Sequence, residues 1–247
     1  MKPRTAAKEQ DWYKPLSAPS PQLKRHAARV LKRLKELYPD PRCALNHDSP
    51  YQLIVATILS AQCTDARVNL VTPALFARYP DPQALGEADS GELETIIHST
   101  GFFRAKARNL IGMACAVVER HGGEIPAELE ALTALPGVGR KTAHVVMGNA
   151  FGIASGVVVD THVKRLAARL GLTTKTDPGV IEHELAALTP RKEWINLSHR
   201  LIDHGRAVCG ALRPNCDGCA LRSICPCAGV AEPRSARPKS AGKPPLS

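Results

Sequence analysis

The chain has 247 residues, 44% of them hydrophobic, which is enough to fill one large core or two small ones and excludes wholesale disorder. Lys and Arg number 33 against 23 Asp and Glu, a formal charge of +10, which points to an anionic partner, either nucleic acid or an acidic membrane surface. Aromatic residues are only 4%, too few for the stacking platforms of a single-strand binder, and this favours the backbone of a duplex.

Residues 1–19 mix Lys, Pro and Ser without periodicity and read as a flexible basic arm. They contain no apolar signal core, which predicts a cytoplasmic protein rather than an exported one. Ser20 then stands as an N-cap with Pro21 at the first helical position. Leu23, Ala27, Val30, Leu31, Leu34 and Leu37 follow at helical spacing, with Lys24, Arg25, Lys32 and Arg33 largely opposite as a solvated face. Ser49-Pro50 opens a second helix, apolar nearly all round through Ala61, as expected at the centre of an all-α bundle. Its most apolar window, 53–61, is too short to span a bilayer. Further helices are predicted at 66–78, 90–98 and 103–121, the last closed by Gly122-Gly123. A short helix precedes Leu135, another runs from Thr142 to Phe151, and a third, with the stripe Val163, Leu166, Ala167 and Leu170, ends at Gly171. Asp177-Pro178 and Thr189-Pro190 each pair an N-cap residue with a first-position proline. Val157–Val159 is strand-like but too short to make a sheet. The predicted fold is all-α with roughly ten helices, followed by a disordered basic tail at 228–247.

Three motifs carry chemistry. In Leu135-Pro136-Gly137-Val138-Gly139-Arg140-Lys141-Thr142-Ala143, the glycines let the backbone approach another molecule closely. The helix that follows directs free N–H groups outward, which suits a phosphate, and Arg140 and Lys141 add positive charge. This is a helix–hairpin–helix, a sequence-independent grip on DNA, in which Lys141 is a phosphate contact or a nucleophile. In Val157-Val158-Val159-Asp160-Thr161-His162-Val163, Asp160 is an N-cap at an exposed helix mouth, a position compatible with catalysis. Finally, eight cysteines in a chain without an export signal predict metal binding or core packing rather than disulfides. Cys43, Cys63 and Cys115 are scattered and read as structural. Cys209, Cys216, Cys219 and Cys225 can close around one metal centre, zinc or iron–sulfur by spacing alone, with Cys227 left over.

Together these motifs resemble the endonuclease III family of DNA glycosylases, from near Gln22 to Cys227. The resemblance implies a helix–hairpin–helix glycosylase fold: two helical domains, 43–153 and 20–42 plus 154–227, a cleft between them, and a C-terminal iron–sulfur loop. It assigns the four cysteines to a 4Fe–4S cluster, Lys141 to the catalytic lysine and Asp160 to the catalytic aspartate. Leu59-Ser60-Ala61-Gln62-Cys63-Thr64-Asp65 is similar to the segment whose glutamine, here Gln62, enters the gap left by a flipped base. Gly101-Phe102 matches the turn whose apolar residue wedges the opposite strand, a position often Leu in the family. Gly137, Gly139, Arg140 and His162 complete the expected DNA contacts. Thr133 stands where relatives can carry an acidic residue, so lesion preference is not fixed by the motifs. The implied activity is removal of oxidised pyrimidines from duplex DNA through a lysine Schiff base, followed by β-elimination at the abasic site. The competing expectations are a monofunctional glycosylase and a non-catalytic DNA-binding protein with structural zinc. The implied partner is double-stranded DNA carrying damaged bases or abasic sites, bound by a monomer at the bacterial nucleoid, with no membrane.

Overall fold

A computed structural model describes residues 18–229; the expectations for the basic arm at 1–17 and the tail at 230–247 lie outside the described residues. Among the described residues the fold is all-α, with eleven α-helices and three short 3-10 turns. In order they are α1 (Pro21–Leu37), α2 (Pro50–Leu59), α3 (Asp65–Arg78), α4 (Pro82–Gly86), α5 (Ser90–Ile97), α6 (Phe103–His121), α7 (Leu129–Thr133), α8 (Arg140–Phe151), α9 (Thr161–Arg169), α10 (Pro178–Leu188) and α11 (Trp194–Ala207).

The helix starts are set by side-chain caps. Ser20, Ser49, Asp89, Asp160 and Asp177 each accept a hydrogen bond from the backbone N–H three residues on, satisfying a donor that the helix itself leaves free. Asp81-Pro82 carries the same signature and opens α4, an element that hydrophobic periodicity alone did not reveal. Thr189-Pro190 does not start a helix. Thr189 instead ends α10 in an extended conformation, as a residue before proline favours, and its carbonyl accepts from Trp194 Nε1 at 2.9 Å. A 3-10 turn, Arg191–Glu193, intervenes, and α11 begins only at Trp194. Helix α2 stops at Leu59 rather than Ala61, because Ser60 Oγ donates back to Thr57 O and the chain then turns through Gln62. Residues 157–159 form no strand; Val157 and Val159 are buried, so their apolar character reflects core packing.

Two hydrophobic cores organise the described residues. The first draws on residues from Leu45 to Met147, with α2 at its centre: eight of the ten α2 residues are buried against α3, α6 and α8. The second combines Ala27, Val30 and Leu34 of α1 with residues of α9, α10 and α11 and with Leu221 of the cysteine loop. From α1 onward the described residues therefore start in one core, build the other, and return.

Candidate active site and cysteine loop

Helices α7 and α8 enclose the hairpin. Leu135 and Val138 are buried and pin the turn into the first core. Gly137 has φ +74°, and a Cβ there would lie 2.8 Å from Asn109 Cβ, so both conformation and space demand glycine. Gly139 differs: its φ is −83° and a Cβ would meet nothing within 4 Å. The turn itself does not require glycine at 139, so the expected close approach of an outside molecule is what a side chain there would obstruct. Gly139 is also the N-cap of α8 and supplies no side-chain cap, so the first turn is presented bare.

Lys141 is exposed in that first turn and faces a cleft shared with Asp160. The cleft is also lined by Arg42–Leu45, by Ser60 and Asp65, and by Ser198, His199, Asp203 and Arg206 of α11. Asp160 caps α9 with Oδ1, which accepts from Val163 N at 2.7 Å. Burial lowers the pKa of His162; Asp160 opposes that shift, and Arg165 and Arg206 reinforce it. Burial also lowers His199, whose Nε2 lies 2.8 Å from Asn149 Oδ1 of α8.

Gln62 and Phe102 lie outside this cleft, on exposed turns. They are the only non-glycine residues with positive φ among the described residues, +53° and +50°. Such conformations are disfavoured for side chains of this size and concentrate at functional positions. Phe102 is 65% exposed.

The cysteine loop folds back on α9 and α11. Cys209 N donates to His204 O, Leu221 is fully buried, and Arg169 of α9 reaches Cys209 Sγ at 3.3 Å, Gly210 O at 2.8 Å and Ala211 O at 2.9 Å. Burial raises the Cys219 and Cys225 thiols, and neighbouring cysteines add to it: Cys209 and Cys216 for Cys219, and Cys227, Cys209 and Cys219 for Cys225. Cys209, Cys216, Cys219 and Cys225 are free and half-buried on this loop, and among the described residues no three His, Cys, Asp or Glu side chains are gathered into a group that could hold a metal ion. Cys219 Sγ lies 3.5 Å from His204 Nε2.

Residues 55–191 match the model of the HhH-GPD superfamily of base excision DNA repair proteins. Endonuclease III of Synechocystis sp. is 57% identical over 205 residues, covering 83% of this chain and 94% of that protein. The chain belongs to the endonuclease III family. A solved non-covalent endonuclease III–DNA complex superposes with a TM-score of 0.79 at 40% identity, covering 82% of this chain and 95% of that one. A trapped endonuclease III–DNA covalent intermediate, an estranged-adenine complex, superposes equally well, with the same TM-score and identity.

The family motifs do not reveal a buried polar link behind Lys141. His144 of α8 is 3% exposed; its Nδ1 pairs with Ser155 Oγ at 2.7 Å. Its Nε2 lies 3.1 Å from Glu182 Oε1 of α10, near enough for electrostatic attraction but outside hydrogen-bond geometry. Arg140 reaches the same carboxylate at 3.4 Å. Gly156 makes room for this link: a Cβ there would strike Glu182 and the His144 ring. A sequence signal existed, since Glu182 interrupts the apolar side of α10 between Ile181 and Leu185. Thr133 turns its hydroxyl back onto its own helix, donating to Leu129 O at 2.9 Å.

Proposed function

We propose that the protein is a bifunctional DNA glycosylase and abasic-site lyase of base excision repair, acting on oxidised pyrimidines in duplex DNA. The observation that carries this reading is the convergence of Lys141 and Asp160, each at the start of a helix, on one cleft. A base inside a duplex cannot reach such a cleft and must be flipped out, at a cost of a few kcal/mol that backbone contacts offset. The bare N-terminus of α8, with Gly137, Gly139 and Arg140, is suited to hold the phosphates. Gln62 and Phe102 fill the space the base leaves, and His162, in the first turn of the helix that Asp160 caps, is a further DNA contact.

Lys141 acts as the neutral amine. Its nitrogen forms a bond to C1′ while the C1′–base bond breaks, and the base departs with the electron pair and takes up a proton. Asp160 stabilises the positive charge that develops on the sugar and accepts a proton from the attacking amine. The ring opens to an imine between Lys141 and C1′. Loss of a C2′ proton then expels the 3′ phosphate and cuts the strand; water finally releases the lysine. The pair thus supplies a nucleophile and a charge-stabilising carboxylate from different helices.

Cys209, Cys216, Cys219 and Cys225 are suited by their chemistry to a 4Fe–4S cluster: four soft, free, half-buried thiol donors on one loop. Such a cluster would tie the loop to the second core and supply no chemistry on the sugar. We further divide the chain into domains 43–153 and 20–42 plus 154–227, in line with the two cores, and read it as a monomer working at the bacterial nucleoid. Among the described residues no helix is long and apolar enough to cross a membrane.

A duplex carrying thymine glycol tests the reaction. The expected products are free base and a strand cut on the 3′ side of the lesion, leaving an unsaturated aldehyde. Released base with an intact strand would instead identify a monofunctional glycosylase in which water attacks. Binding without excision would identify a non-catalytic protein.

A further inference from the structure

Lys106, in the first turns of α6, is a buried lysine that the reaction above does not use. It is 4% exposed, and its Nζ donates to Leu59 O at 2.8 Å and Thr100 O at 2.9 Å. Burying an ammonium is expensive unless its donors are hydrogen-bonded, and here two backbone carbonyls accept from it. Both acceptors are informative. Leu59 is the last residue of α2, three residues before Gln62. Thr100 closes the 3-10 turn His98–Thr100, two residues before Phe102. The ammonium therefore joins the roots of the two turns that carry Gln62 and Phe102. Those turns are distant in sequence, and both require the left-handed conformation.

We propose that Lys106 is a positioning residue that couples these two turns, so that Gln62 and Phe102 enter the duplex as one rigid unit. The inference rests on the reading of Gln62 and Phe102 as the residues that fill the duplex. The physical argument is that two separately anchored loops would each wander and would each have to be ordered on the DNA. Hydrogen bonds from one charged donor to both loop roots fix their separation before DNA arrives. Burial lowers the Lys106 pKa and nearby Cys63 opposes that shift.

The test is a pair of mutant cycles read by single-turnover excision from a thymine glycol duplex, with thermal stability measured for each variant. Lys106→Met keeps the length of the side chain and removes the donors. Gln62→Ala and Phe102→Ala are each combined with it. Each loop substitution should slow excision in the parent protein and should lose at least about fivefold of that effect in the Lys106→Met background, the scale expected for residues sharing one network. Lys106→Arg, which can still donate to two carbonyls, should restore the coupling. A merely structural lysine would lower stability but leave the loop effects additive, and additivity would overturn the proposal. If Lys106→Met does not fold, Lys106→Gln, which keeps a donor but is too short to span both carbonyls, supplies the same cycle. Should Gln62→Ala and Phe102→Ala excise at the parental rate, the gap-filling reading itself fails, and this inference falls with it.

Discussion

Gly137 and Gly139 sit two residues apart in one turn, yet they answer to different constraints. Substituting Gly137 with Ala forces a left-handed side-chain residue against Asn109, at about 1–3 kcal/mol for the conformation alone. Thermal unfolding should show that loss. Gly139→Val should leave the melting temperature close to the parental value, because its Cβ meets open space. It should nevertheless weaken binding to every duplex sequence alike, as titrations on unrelated duplexes would show; parental affinity would remove the hairpin from the DNA interface. Asp160 poses a similar separation of roles. Asn can still accept from Val163 N, so Asp160→Asn should fold, but it lacks the charge. Base excision should slow by at least about 100-fold, measured under single turnover. His162 and His199 set a pH dependence. Asp160 and Asp65 raise the His162 pKa against Arg165 and Arg206; Asp203 and Asp160 raise His199 against Arg206; burial prevails at both. Their folded pKa values lie below the unfolded value of about 6.5, so in the window beneath it the unfolded chain binds more protons. Stability should therefore fall as pH drops through that window, and denaturant unfolding from pH 7 to pH 5 should show it; a rise would contradict the burial of these rings.

The helices were legible in the sequence where a local signal sufficed. Ser20-Pro21, Ser49-Pro50 and Asp177-Pro178 each place a cap and a proline together, and each opens a helix at that point. Thr189-Pro190 carries the same letters and fails, because the Thr189 carbonyl is taken by the Trp194 indole, a partner the local pattern does not show. The turn after α2 was equally hidden: apolar periodicity continues to Ala61, but the Ser60 hydroxyl and the Gln62 conformation end the helix earlier. The cysteine loop was visible as spacing, while its attachment to α9 through Arg169 was not. This loop yields its own prediction. Protein made with ample iron should contain close to four irons per chain, the stoichiometry of one 4Fe–4S cluster, and little zinc. Cys227→Ser should leave the iron content unchanged, whereas Cys219→Ser should reduce it. Iron lost on changing Cys227, which influences Cys225 in the structure, would mean that the ligand set is misassigned.

At the level of the whole molecule, composition and charge pointed to an anionic partner, and the motifs singled out Lys141 and Asp160. What periodicity could not supply was their meeting, since it depends on α1 joining α9–α11 across the entire first core. Tertiary packing of this kind has no local signature, and only the family resemblance anticipated the cleft. Contacts across it hold the two sides together: Arg206 pairs with Asp65, His199 with Asn149, and His144 with Ser155. That assembly leaves Lys141 and Asp160 on the lining of one cleft, and covalent capture tests the proposed pairing most directly. Borohydride should reduce the imine and join the protein permanently to a duplex carrying thymine glycol, with far less product on undamaged DNA. Lys141→Gln should abolish the trapped species while still binding the lesion. A Lys141→Gln protein that excised bases at the parental rate would make Lys141 a phosphate contact and contradict the account.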